Sequence, residues 1–289
     1  MGFETFVQTF ANALVLGSIY AMVAVGLTLA FGVMQMANFS HGELFMAGAY
    51  VVYVLYSLLG LPFPVAVIAA FPIVAMIGML FERLLFRPTR GNVLAGFMAT
   101  AGAGFIMQVL VGQQWGVGLM RSVVVPYKGS AQILGAAISW QRLVIIPATI
   151  FMVAGLWFFL KKVKAGKALR ACAQDPEAAV LQGISINKMT LLAMLLSGGF
   201  AGVGGALMAP IIPVTPYMGH VYAVTAFIVV IVGGMASIEG AVLAAFILGF
   251  IHTFTSTVYD SVTATMVGVL FMAIVLIVKP TGLLGNVKV

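Results

Sequence analysis

Asn38, Ser40, His41 and Glu43 bring an amide, a hydroxyl, an imidazole and a carboxylate close together, with Gly42 among them. The run Asn38-Phe39-Ser40-His41-Gly42-Glu43 lies between two strongly apolar stretches. Polar groups at such a place are costly unless they are solvated or used. The set can bond a polar solute, line a path as a broken-helix segment, or contact a cytoplasmic gate. The plain alternative is a short polar loop between two helices. A metal site is not expected, because His41, His220 and His252 lack the Cys/His/carboxylate spacing that zinc needs. A second patch, Ser237-Ile238-Glu239-Gly240, repeats the design. In each patch an apolar run ends in Gly and Met, meets a small polar group with a glutamate, and resumes rich in Ala and Gly. Paired interruptions of this kind point to the central site of a transporter, so Ser237 and Glu239 join the pathway candidates. Glu239 also suits the positive end of the helix that follows it.

A third group has a different character. Of the 14 basic and seven acidic residues, Lys161, Lys162, Lys164, Lys167, Arg170, Asp175, Glu177 and Lys188 share one short stretch. Asp175 precedes Pro176, and proline is favoured at the first helical position after an N-cap. Glu177 places negative charge in the first turn. Ala178, Ala179, Val180 and Leu181 continue a helix that Gly183 ends. A helix over 176–182 is too short to be stable alone, so it must pack against something. Its apolar face is too small for firm binding to lipid headgroups, which favours a protein partner.

The rest of the chain is built for lipid. It is 63% hydrophobic and 7% charged, where a soluble domain carries about 25% charged residues. Apolar runs long enough to cross a hydrocarbon core recur from end to end. The ten-residue alternation of a membrane barrel is missing. The fold class is therefore all-α: a polytopic transmembrane bundle of 8–10 spans, nine favoured, forming one integral domain over 1–289 with a water-facing loop over 161–188. The spans fall near 6–33, 44–60, 63–82, 92–112, 143–160, 189–210, 217–235, 240–257 and 262–279. Glycines 233, 234 and 240 leave the division of 217–257 open, and ten spans remain if the first run is broken.

Alternating spans place Arg83, Arg87, Arg90, the basic residues of 161–188, Lys279 and Lys288 on one side. Only Arg121, Lys128 and Arg142 face the other, although its loop 113–142 is long. This bias makes the first side cytoplasmic, with the N-terminus outside and the C-terminus inside. It also accounts for the net charge of +7 without nucleic acid. Loop 113–142 reads as short extended pieces around a turn. Gly198, Ala201, Gly202 and Gly205 form a small-residue face for close helix packing.

The spans hold no string of acids and histidines and no arginine series, which argues against proton-coupled carriers and voltage sensors. No Walker lysine motif or nucleophile elbow is present, so no catalytic residue, cofactor or ATPase site is expected in this chain. Energy must come from elsewhere. A secondary transporter or channel for small polar solutes, an intramembrane enzyme and a structural scaffold are the rival readings.

Glu177-Ala178-Ala179 followed by Gly183 resembles the E-A-A-x-x-x-G loop of bacterial ABC importer permeases. The stretch from Gly166 to Ile186 is similar to the cytoplasmic loop of branched-chain amino-acid permeases of the LivH type. Asn38, His41, Gly42, Gly48, Ala49 and Tyr50 resemble that family's N-x-x-H-G-x-x-x-x-x-G-A-Y signature, and Gly233 to Ala241 its G-G-M-G-S-x-x-G-A element. Ala236 replaces a glycine there, and no Ile-x-Leu-Pro follows Gly183, which separates the chain from sugar permeases of the maltose type. The resemblance implies half of a transmembrane pathway in a bacterial inner membrane, paired with a second homologous permease. It implies two ATP-binding subunits that hydrolyse ATP on the cytoplasmic face, and a periplasmic binding protein that delivers substrate. Arg170, Asp175, Pro176, Glu177, Ala178, Ala179 and Gly183 would be the coupling residues.

Overall fold

The computed structural model describes residues 2–285. Eleven helices and one hairpin follow in chain order among these residues: α1 (Phe3–Met34), α2 (His41–Val52), α3 (Phe63–Phe81), α4 (Val93–Trp115), β1 (Ser130–Ile133), β2 (Ala136–Ser139), α5 (Trp140–Lys162), α6 (Lys164–Gln174), α7 (Pro176–Leu181), α8 (Ile186–Met208), α9 (Gly219–Gly233), α10 (Ile238–Val258) and α11 (Ser261–Val278). π-helical turns over Tyr53–Leu58 and Glu82–Phe86 extend α2 and α3. Seven helices are long and apolar enough to cross a membrane: α1, α3 with its π turn, α4, α5, α8, α10 and α11. Large apolar side chains such as Ile68, Phe105, Phe151 and Ile277 point outward from them. Helices keep their backbone polar groups paired where no water reaches them. The chain is thus an all-α, multi-pass membrane protein.

The two remaining apolar segments differ from simple spans. α9 has 15 residues, and α2 has 12 before its backbone widens into the π turn. α1, by contrast, runs unbroken for 32 residues, which removes the ten-span alternative. The glycine-rich break in 217–257 is real, since α9 ends at Gly233 and α10 starts at Ile238. Loop 113–142 forms the hairpin β1–β2, Ser130 pairing with Ser139 and Ile133 with Ala136.

α1 and α8 are the central posts, and glycine lets their neighbours approach backbone to backbone. Gly17 of α1 receives Phe246 and Gly249 of α10, and Gly26 faces the Ser197 carbonyl of α8. On α8, Gly198 and Gly202 meet Val74 of α3, while Gly205 meets the Phe45 carbonyl of α2. The small-residue face expected from the sequence is a packing face. α4, α5 and α11 lie outside, with much of their surface uncovered.

The contacts fix two ends of the bundle. α1 and α10 are antiparallel, with Gly32 beside Ala236 at one end and Phe6 beside Phe254 at the other. Gly32 also lies near Ala173 of α6, so α6 and α7 cap the first end. The hairpin caps the second, where Gly135 meets Glu4.

A Cβ on Gly48 would lie 1.9 Å from the Gly202 carbonyl oxygen, whereas nothing lies within 4 Å of the same position on Gly155. Gly48→Val is expected to destabilise the fold by about 3 kcal/mol or more, and Gly155→Ala to leave it unchanged. Thermal unfolding of the detergent-solubilised protein measures both.

Candidate functional site

The polar run at 38–43 sits inside the bundle. Gln35 adopts a left-handed conformation (φ 54°) after α1, which turns the chain back on itself. Asn38, Ser40 and His41 are fully enclosed, and Glu43 nearly so. His41 Nε2 lies 2.9 Å from the carbonyl oxygen of Val23. A carbonyl only accepts, so Nε2 carries the proton and Nδ1 is bare. Val23 stands 11 residues before the end of α1 at Met34; at 1.5 Å per residue this is about 16 Å into the bundle. α2 therefore starts deep in the interior and runs toward the hairpin end.

Local bonds hold the run in place. Asn38 Oδ1 accepts from the Ser40 backbone N–H (3.1 Å), and the single hydroxyl proton of Ser40 goes to the Thr100 carbonyl at 2.9 Å. Glu43 Oε1 accepts from Gln108 Nε2 of α4 at 2.8 Å. Gly42 touches Gly219, the first residue of α9, so closely that a Cβ on either would fall within 2.3 Å of the other's carbonyl oxygen. Two helix N-termini thus meet inside the protein. Phe39 flanks the junction, stacked on Phe227 (ring centroids 5.0 Å apart) and edge-on to Phe97 at 4.2 Å.

Ser237 and Glu239 are elsewhere. Ser237 Oγ accepts from Gly240 N–H at 3.0 Å and caps α10 at the α6–α7 end. Glu239 lies in the first turn of α10 and is exposed. The two patches share a sequence design, yet the depth of His41 and the neighbourhood of Ala236 to Gly32 put them at different levels. The turn beside Ser237 is held by the chain's later residues: Leu283 N–H donates to Val232 O at 2.7 Å and Leu284 N–H to Gly233 O at 3.1 Å.

At the α6–α7 end, α6 is a helix of its own within the water-facing loop 161–188. Leu169 and Cys172 anchor it in the core, and burial pushes the Cys172 thiol up, toward the unreactive protonated form. Arg170 Nε donates to the Leu160 carbonyl at 3.0 Å, so it ties α6 to the last turn of α5. Asp175 Oδ1 accepts from the N–H groups of Glu177 and Ala178, both at 3.0 Å, and starts α7. Gly183 (φ 78°) ends the segment, with Ile184 N–H reaching back to Ala179 O. Ala179 faces inward, while Glu177, Ala178, Val180 and Leu181 face out, Leu181 being 86% exposed.

Comparison with known proteins meets this geometry. Residues 9–279 match the family described as "Branched-chain amino acid transport system / permease component". The chain belongs to this family. The permease is 31% identical to the high-affinity branched-chain amino acid transport system permease protein LivH of Salmonella typhimurium, over 99% of this chain and 98% of the relative. It is 29% identical to the corresponding protein BraD of Pseudomonas aeruginosa, over 98% and 97%. A probable branched-chain amino acid transport permease protein LivH of Methanocaldococcus jannaschii is 25% identical over 95% and 91%. No solved structure matches the permease.

Sequence reasoning missed one polar cluster. Glu82, fully buried, pairs with Arg90 (3.0 Å) and Arg87 (3.6 Å) and accepts from the Thr190 hydroxyl at 2.8 Å. Arg90 also donates to Thr190 and to Asn187. The cluster bolts the turn after α3 to the first turns of α8, the helix that α7 leads into. The available signal was an acid inside an apolar run; its distant partner Thr190 had none. Gln108 was likewise readable only as a lone amide in a span.

Arg90 is 36% exposed and Glu82 is not, so losing Arg90 leaves a buried carboxylate with a neutral hydroxyl, that of Thr190, and the longer Arg87 contact. Arg90→Ala is expected to cost roughly 1.5–3 kcal/mol and Arg87→Ala clearly less. The difference between the two thermal midpoints tests this.

Proposed function

We propose that this permease forms half of the translocation pathway of an ATP-driven importer for branched-chain or related amino acids. A second homologous permease completes the pathway. Two ATP-binding subunits engage α7 from the cytoplasm, and a periplasmic binding protein delivers substrate at the hairpin end. The chain carries the path and the lever, and ATP is hydrolysed by its partners. The permease resides in a bacterial inner membrane with its N-terminus outside and C-terminus inside, in agreement with the basic residues near α6 and α7. α2 and α9 count as the eighth and ninth membrane segments, each entering from one side of the central junction.

The observation that supports this reading best is α7 itself. A helix of six residues is capped at both ends, seated through Ala179, and still presents Val180 and Leu181 to solvent. Exposed apolar side chains on a rigid, capped helix suit insertion into a partner's groove. The connection inward is short. Ser185 separates Ile184 from α8, and the Glu82 cluster clamps the start of α8 to the turn after α3. A push on α7 is therefore carried to α8, the post against which α2 packs. The names of the relatives, all transport-system permeases, point the same way.

Val180→Glu with Leu181→Glu is expected to lower ATP-dependent uptake by roughly thirty-fold, matching a hot-spot loss of about 2 kcal/mol. The ATPase subunits should no longer copurify, while the permease keeps its thermal midpoint. Unchanged uptake and unchanged copurification would refute α7 as the docking element.

A further inference from the structure

We infer that Glu43 is the contact for the ammonium group of a zwitterionic substrate, and that the joined N-termini of α2 and α9 receive its carboxylate. This deepens the importer reading and rests on it. Glu43 is 5% exposed. One carboxylate oxygen is held by Gln108, and Oε2 is buried with no partner. A buried carboxylate oxygen left bare in a membrane interior is expensive, and such groups belong to substrate and ion pathways. Asn38 Nδ2 and His41 Nδ1 are also buried and unpartnered in the same run. The junction thus holds a surplus of both donors and acceptors.

The position of the Glu43 side chain is defined by α4. Gly104 of α4 lies against its side chain, and Gln108, one turn on, bonds it. α4 is mostly uncovered on its outer face and packs lightly on α2, so the wall closing Glu43 is a thin one.

Charge completes the case. Each helix N-terminus carries about half a positive charge. α2 and α9 bring two such ends into backbone contact at Gly42 and Gly219. Among the described residues neither Gly42 N–H nor Gly219 N–H finds an acceptor. Glu43 offsets the two partial charges in sum but leaves them apart in space, negative toward α4 and positive at the junction. A zwitterion matches that separation with ammonium on Glu43 and carboxylate on the N–H groups. Discontinuous helices that aim their N-termini at a substrate carboxylate are a general membrane solution to this problem. A purely cationic or anionic solute would satisfy only half of the site.

The test uses the complete complex in proteoliposomes, with leucine as substrate and both uptake and ATP hydrolysis measured. Glu43→Gln keeps the shape and removes the charge; leucine moved per ATP should fall about tenfold or more, and Glu43→Asp should recover part of it. Wild-type-like uptake by Glu43→Gln, or uptake and hydrolysis falling in equal proportion, would overturn the assignment. Should Glu43→Gln fail to fold, a hydrophobic carbodiimide is applied to the wild-type complex. Leucine should slow modification of Glu43, read by mass spectrometry, and 4-methylpentanoate, which lacks the amine, should not; no protection by leucine overturns the proposal. Leucine uptake that persists without ATP would sink the importer reading instead, and the carbodiimide experiment would still decide the subsite.

Discussion

Backbone contact between helices without side chains in the way is the condition on which the structure depends. Gly42 touches Gly219, and Gly48 touches Gly202. These contacts draw α2 against α8 and α9, and so hold the run 38–43 about 16 Å from the end of α1. In lipid there is no water to pay for stray polar groups, so the run is bound to its surroundings by Val23, Thr100 and Gln108. What those partners leave over, on Asn38, His41 and Glu43, is confined to one small region. The interior thereby acquires a polar junction where α2 and α9 begin.

The two ends of the molecule relate to that junction differently. The hairpin end is closed by β1 and β2 and by an isolated pairing of Arg121 with Val214, which ties the long loop to the segment between α8 and α9. The α6–α7 end is continuous with the interior through direct bonds: Arg170 links α6 to α5, Asp175 and Gly183 define α7, and the Glu82 cluster fixes α8 to the turn after α3. The same α8 that follows α7 carries Gly202 and Gly205, on which α2 rests. α7 is thus connected to α2 through one helix and two glycine contacts.

Much of this was legible in the residues. Asp175, Pro176 and Gly183 specify a short helix by local rules that do not depend on the fold, and Gly198, Gly202 and Gly205 announce close packing. Hydropathy marks the long helices because each needs only its own composition to cross lipid. It fails to describe α2 and α9, since starting a helix at mid-depth depends on what surrounds its first turn. For the same reason Ser237 and Glu239 looked equivalent to Ser40 and Glu43: sequence reports the polar interruption, while depth is set by the long-range contacts of His41 with Val23 and of Gly42 with Gly219. The Glu82 cluster was hidden because Arg90 and Thr190 are brought together across α4 to α7.

Site-directed labelling in intact cells tests the central claim most directly: that α7 lies in cytoplasmic water against a partner, at the far end of a chain of contacts from the junction. In a Cys172→Ser background, Leu181→Cys should resist a membrane-impermeant maleimide added outside. It should react once the cytoplasmic face is opened, and be shielded when the ATPase subunits are present. Labelling from outside the cell, or labelling from the cytoplasm that the ATPase subunits do not reduce, would contradict the account.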